Sequence, residues 1–284
     1  MVSRSKSPLC AFASWFPARV GADLEEARAL AYQSRETSWT DHMLLELKKL
    51  RNPHILVQNS NERVTGADMD WHFVSRNGRR HLHLAVQAKI LHYTTVRAPY
   101  RYGELAYPDK TGRQSRQLTN FAKRQLAAGF ATYPLYLFYN PSSVVPRSSA
   151  CSPGVTLANA YRVRNHLDVA RKKAGNGKVP LQDHEFWSVS PLMFCLHRIF
   201  CCSGDVIPSP DEVAQSLSLI DGRIGRSTNR RLRPPKPSAG GRVPADVELL
   251  LQAMMSGPVT SEQLENPDFR KPDRPRVIFL GGVD

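Results

Sequence analysis

The stretch that decides the fold is Asp68-Met-Asp-Trp-His-Phe-Val-Ser-Arg-Asn-Gly-Arg-Arg-His-Leu-His-Leu-Ala-Val-Gln-Ala-Lys-Ile90. Successive residues of an extended chain point to opposite faces, so Met69, Trp71 and Phe73 fall on one side and Asp68, Asp70 and His72 on the other. Asn77-Gly78 is a favoured hairpin turn. The returning arm places Leu82, Leu84, Val86, Ala88 and Ile90 on one face and His81, His83, Ala85, Gln87 and Lys89 on the other. Gln87 and Lys89, two residues apart, therefore point the same way.

Outward from this hairpin the signals alternate between helix and strand. Upstream, Asp23 to Arg35 is rich in helix formers with acids in its first turn. A second helix is predicted over His42–Leu50, with Ser38 and Asp41 at capping-box spacing, Met43, Leu44, Leu47 and Leu50 on one face, and Asn52-Pro53 closing it. Downstream of a polar connection, Gln114 to Ala128 reads as a helix stopped at Gly129, and Tyr133–Tyr139 as an aromatic strand ended by Asn140-Pro141. Leu157–Lys173 reads as a helix, and Trp187–Phe200 as an apolar segment completing the core. The pattern predicts an α/β fold.

The ends read differently. Residues 1–20 are expected to be a flexible arm, 21–205 the core domain, and 206–284 a basic linker with a small C-terminal extension. Between Gly222 and Arg242 the chain is rich in Pro, Gly and Ser and carries Arg226, Arg230, Arg231, Arg233, Lys236 and Arg242, a composition that suits either a phosphate-binding arm or a solvated linker. A short helix, Ala245–Met255, follows it.

With 41% hydrophobic residues in 284, the chain has enough apolar surface to bury a core, which excludes whole-chain disorder. No apolar run reaches the ~18 residues of a membrane-spanning helix, so no membrane partner is expected. The surplus of 39 Lys+Arg over 25 Asp+Glu, a net charge of +14, favours a polyanionic partner, above all nucleic acid. Five cysteines (Cys10, Cys151, Cys195, Cys201 and Cys202) lack framework spacing, so buried thiols in a reducing cytoplasm are expected rather than a disulfide framework or a zinc site. There is no Gly-x-Ser-x-Gly elbow and no phosphate-cradling glycine loop.

The residues that point to chemistry are Glu36 near an early helix, Asp68 opening the first hairpin strand, and Gln87-Ala-Lys89 on the second. Phosphodiester hydrolysis needs a hard divalent cation held by oxygen ligands, and a nearby positive group to stabilise charge on phosphorus. Glu36, Asp68 and Gln87 supply oxygens and Lys89 the positive group, with Asp41 and Glu46 as substitutes for Glu36. Asp70 is a further candidate ligand or a polar strand residue, Gln117 a candidate on the following helix, and His72 is expected near His83 across the hairpin.

The order Glu36…Gly66-Ala-Asp68…Gln87-Ala-Lys89 resembles the PD-(D/E)xK nuclease superfamily, and most the Mrr-like restriction-endonuclease branch in which Gln replaces the second acid. Glu36-Thr-Ser-Trp-Thr-Asp41, Thr65-Gly-Ala-Asp-Met-Asp-Trp71, Val86-Gln-Ala-Lys89 and Pro134-Leu-Tyr-Leu-Phe-Tyr-Asn140 are similar to an uncharacterised bacterial family of restriction-endonuclease-like proteins, over residues 30 to 200. The resemblance implies a restriction-endonuclease-like α/β/α core around a central mixed β-sheet, and Mg²⁺- or Mn²⁺-dependent cleavage of DNA in restriction or phage defence. It implies Glu36, Asp68, Gln87 and Lys89 as catalytic residues, the first three with Asp70 as metal ligands. Ala67 stands where the superfamily has Pro, and Gln87 removes a negative charge. A nuclease-fold binding module without catalysis and an RNA-cleaving enzyme therefore stay open beside a DNA endonuclease. Two-strand cutting is compatible with a homodimer.

Overall fold

The computed structural model describes residues 7–60, 69–92, 100–103, 105, 113–144, 154–176, 178–202, 207–224, 235, 242–265, 269 and 272–282. In chain order the elements are α1 (Pro8–Ala29), α2 (Glu36–Lys49), β1 (Ile55–Gln58), β2 (Met69–Ser75), β3 (His81–Ile90), α3 (Arg113–Ala127), β4 (Thr132–Tyr139), β5 (Val155–Asn159), α4 (Ala160–Ala174), α5 (Phe186–Val189), β6 (Met193–Cys195), α6 (His197–Phe200), α7 (Pro210–Ile224), α8 (Ala245–Ser256), α9 (Ser261–Glu265) and β7 (Arg276–Gly281).

The hairpin forms as its sequence requires. Gly78 takes a φ of +69°, open to glycine without steric cost, and Asn77 Oδ1 accepts hydrogen bonds from the Arg79 amide and the Ser75 hydroxyl. β2 and β3 pair antiparallel from Met69 opposite Val86 to Val74 opposite His81. Among the described residues, seven strands make one mixed sheet in the order β1-β7-β2-β3-β4-β5-β6; β2–β7 and β3–β4 pair parallel, the other neighbours antiparallel.

All ten residues of β3 are buried, because helices cover both faces. The Leu82–Ile90 face packs against α1, α2, α6 and α7. On the opposite face, Ala85, Tyr136 and Phe138 meet α3 and α4, while Leu56, Val74, Ile278 and Leu280 meet α8. The result is an α/β fold of three layers around a mixed sheet. Among the described residues, no helix is long and apolar enough to cross a membrane.

Several expectations need correction. The N-terminal arm is instead α1, 22 residues long, capped by Ser7, whose hydroxyl accepts from the Cys10 amide. Its stripe of Leu9, Phe12, Phe16, Val20 and Leu24 is buried at helical spacing; Pro17 lies inside the helix, where it removes one backbone donor without stopping it. The helix read over Asp23–Arg35 is the end of α1, which stops at Ala29. The second helix starts at Glu36, so Ser38 and Asp41 lie within it and form no capping box. The segment from Val155 to Asn159 is a strand, and α4 begins only after Asn159, whose side chain caps it through the Tyr161 amide.

The C-terminal region is not an extension beside the core. Val213, Ala214 and Leu217 of α7 are buried in it, and β7 lies inside the sheet between β1 and β2. The basic residues Arg226, Arg230, Arg231, Arg233 and Lys236 fall outside the described residues. The cysteines are not all thiols: Cys10 of α1 and Cys201 after α6 form a disulfide.

Candidate active site

Gln87 and Lys89 sit near the C-terminal end of β3, on the face opposite the Leu82–Ile90 row, and both are buried. α2 starts over the same end of the sheet. Its Thr40 hydroxyl bonds the Glu36 carbonyl and meets the hydroxyl of Tyr139, the residue of β4 opposite Ile90. That attachment brings the Glu36 carboxylate to Lys89, with Oε1 3.5 Å from Nζ. Only 3% of the Lys89 side chain is exposed, so the charge is shielded from bulk water and its pairing is weakly screened by salt. Glu36 in the first turn also faces the positive end of the α2 dipole.

Gln87 adds a neutral group. Its Oε1 is buried and has no hydrogen-bond partner among the described residues. An unsatisfied buried carbonyl costs about 1–3 kcal/mol, so this oxygen is set for a donor or a cation. A neutral oxygen and a buried ammonium thus share one face of β3 two residues apart, with the Glu36 carboxylate meeting the ammonium. Asp68 lies outside the described residues; it directly precedes Met69, whose cross-strand partner Val86 directly precedes Gln87.

Asp70 is placed differently. It faces the same side of the sheet, opposite Ala85, but Oδ1 accepts from His83 Nε2 at 2.7 Å and Oδ2 pairs with Arg274 at 3.2 Å. Burial alone would raise its pKa; the charge and hydrogen bond of His83, with Arg274 and Arg276, hold it below the ordinary carboxylate value. Both oxygens are therefore engaged by protein groups. Of the other acids on α2, Glu46 pairs with Lys49 at 2.7 Å and Asp41 is exposed. Gln117 is exposed on α3.

His72 does stand opposite His83, their rings stacked 4.6 Å apart, and His72 Nδ1 lies 3.0 Å from His81 Nε2. His83 Nδ1 reaches the Thr132 hydroxyl at 3.2 Å. Burial drives the His72 pKa well below its ordinary value, and burial with the neighbouring His83 brings His81 to about 3. These rings are a hydrogen-bonded stack within the core. Among the described residues, no group of three or more His, Cys, Asp or Glu side chains is placed to hold a metal.

Sequence reasoning missed the partners that reach this region from afar. Arg274 stacks over the Phe121 ring at 4.4 Å while pairing with Asp70, and Arg276 pairs with Asp246 at 2.6 Å. The legible signal was Arg274-Pro-Arg276 directly before an apolar run, the mark of a strand entry. Tyr32 and Trp39, beside Glu36, were also passed over.

Residues 9–280 match the model of DUF6615, a family of unknown function. No curated protein and no solved structure matches the chain.

Proposed function

Because the chain belongs to the DUF6615 family, whose function is unknown, we propose from its own residues that it is a metal-dependent endonuclease hydrolysing phosphodiester bonds in DNA. The observation that carries this reading is the pairing of buried Lys89 with Glu36, 3.5 Å apart, with Gln87 on the same strand as Lys89 bearing an oxygen that has no partner among the described residues. The donor set suits a hard cation: a carboxylate at Glu36, a neutral carbonyl at Gln87 and a second carboxylate at Asp68 would hold Mg²⁺ or Mn²⁺. When bound, the cation supplies positive charge that polarises the phosphate and acidifies water.

The protein's own part is positional. The Lys89 ammonium would donate to a non-bridging phosphate oxygen and offset the charge that builds as water oxygen bonds phosphorus and the ester P–O bond breaks. Glu36 orients Lys89 until substrate arrives. The net charge of +14 supports a polyanionic substrate. The resemblance of the Asp68…Gln87-x-Lys89 order to restriction-type nucleases supports DNA and a role in restriction or phage defence.

Cleavage of supercoiled plasmid in Mg²⁺ or Mn²⁺ tests the reading, with Asp68→Ala and Lys89→Ala beside the wild type. The expected result is loss of cleavage in EDTA and a fall of about 10²–10³-fold or more in each variant, as expected on removing a transition-state donor or a metal ligand. Folded wild type that binds DNA but leaves it intact in both metals would overturn the proposal in favour of a binding module. Preferential cutting of a matched RNA would reassign the substrate.

A further inference from the structure

Beside Glu36, a cavity of about 310 Å³ opens between α1, the α1–α2 loop and α2. Its walls include Asp23 from α1, Tyr32 and Arg35 from the loop, and Ser38, Trp39 and His42 from α2. We propose that this cavity receives one unpaired nucleobase of the substrate strand. The inference rests on the nuclease reading and narrows the substrate to DNA in which a base is single-stranded or swung out of its duplex.

Position comes first. Arg35 and Ser38 flank Glu36 within a single helical turn, and the Glu36 carboxylate already touches Lys89. A group in the cavity therefore lies within reach of a nucleotide whose phosphate meets Lys89. The loop is also tied to the same end of the sheet: Gln33 Nε2 lies 3.3 Å from Nδ1 of His92, which follows β3.

The chemistry of the walls suits a base. Tyr32 is 66% exposed, so its ring is open to stacking from the cavity. Trp39 and His42 stand edge to face, with centroids 6.0 Å apart and planes at 85°, so two ring orientations border one space. Aromatic faces stack on any base, whereas the Ser38 hydroxyl and the Asp23 carboxylate, one oxygen of which also pairs with Arg19 at 3.2 Å, offer a donor and acceptors to its edge. The exposed Arg35 at the rim suits a phosphate. At this size, near the lower end for small-molecule sites, the cavity takes a single nucleoside rather than a stacked run. A base paired within a duplex cannot enter it, which is why the occupant must be unpaired.

The test uses the full chain in EDTA, where cleavage cannot interfere. Tryptophan emission is followed while dAMP is added, and again with deoxyribose 5-phosphate and inorganic phosphate. Trp39→Phe separates the cavity's signal from that of Trp15, Trp71 and Trp187. Saturable quenching by dAMP, lost in Trp39→Phe and shifted to about tenfold higher concentration in Tyr32→Ala, is expected when one stacking face is removed. Tyr32 is exposed, so that variant folds even if Trp39→Phe does not.

No saturable quenching, or displacement of dAMP by inorganic phosphate at equal concentration, would overturn the proposal. Asp68→Ala keeps the two readings apart: a metal ligand has no part in binding dAMP in EDTA, so this variant should lose cleavage by about 10²-fold or more and leave quenching intact. Quenching without any wild-type cleavage would defeat the nuclease reading alone; cleavage without quenching would defeat this one alone.

Discussion

His81 is held neutral with a pKa of about 3, and its neighbour His72 is depressed by the same burial. In the unfolded chain both titrate near the ordinary value of about 6.5. Above that pH neither state carries the extra proton and nothing is lost. Below it the unfolded chain takes up protons that the folded stack refuses, so stability falls as pH drops below about 6.5, by up to about 1.4 kcal/mol per pH unit for each ring that stays neutral, which for His81 continues to about pH 3. Urea unfolding at pH 7.5, 6 and 5 should show this slope, and His81→Asn should reduce it by the share of one ring; equal stability at the three pH values would refute the buried neutral stack. At the same scale, the shared face of Gln87 and Lys89 was legible, because strand alternation needs only two residues of context. The engagement of Asp70 was not, since its partner Arg274 is brought in by a strand far along the chain.

Among elements, the hairpin, α3, β4 and α8 were readable because local rules decide them: Asn-Gly turns, helix-stopping Gly129, and a 3.6-residue period. α1 was misread because Pro17 and the short apolar run obscured a stripe that makes sense only against the sheet. Its docking depends on Gly154, just before β5, where an added Cβ would stand 1.8 Å from the Pro17 carbonyl oxygen and 2.5 Å from the Gly21 amide. Both are backbone atoms and cannot swing away. Gly154→Ala should therefore cost about 1–3 kcal/mol, the usual penalty of overpacking. Thermal unfolding measures it, and limited proteolysis should find α1 cut faster. An unchanged unfolding midpoint would mean that α1 does not rest on β5 this way. β7 escaped notice because Arg276-Val-Ile-Phe-Leu-Gly281 follows a stretch of linker-like composition, and nothing local says that two other strands need it between them.

Across the whole molecule, the Cys10–Cys201 bond joins α1 to the residues after α6 over a separation of 191 residues. Closing so long a loop restricts the unfolded chain, and a disulfide of this kind contributes about 2–4 kcal/mol. Urea unfolding with and without a reductant should show a loss of that order; identical curves would mean that packing alone holds α1. Fold class was legible at this scale because alternating helix and strand signals imply a layered sheet. The division into core and extension was not, because neither composition nor periodicity reports which distant strands pair.

The place of β7 also has a consequence in time. β1 and β2 follow each other closely in the chain, yet each takes β7 as its neighbour. Roughly 190 residues separate the end of β3 from β7, on the order of 10–40 s of synthesis at about 5–20 residues per second. Throughout that interval the emerging hairpin keeps one bare flank, and β1 stands as the tempting wrong match. A correct sheet therefore requires that the flank of β2 still be free when β7 emerges, so the order of synthesis bears on how this sheet is assembled.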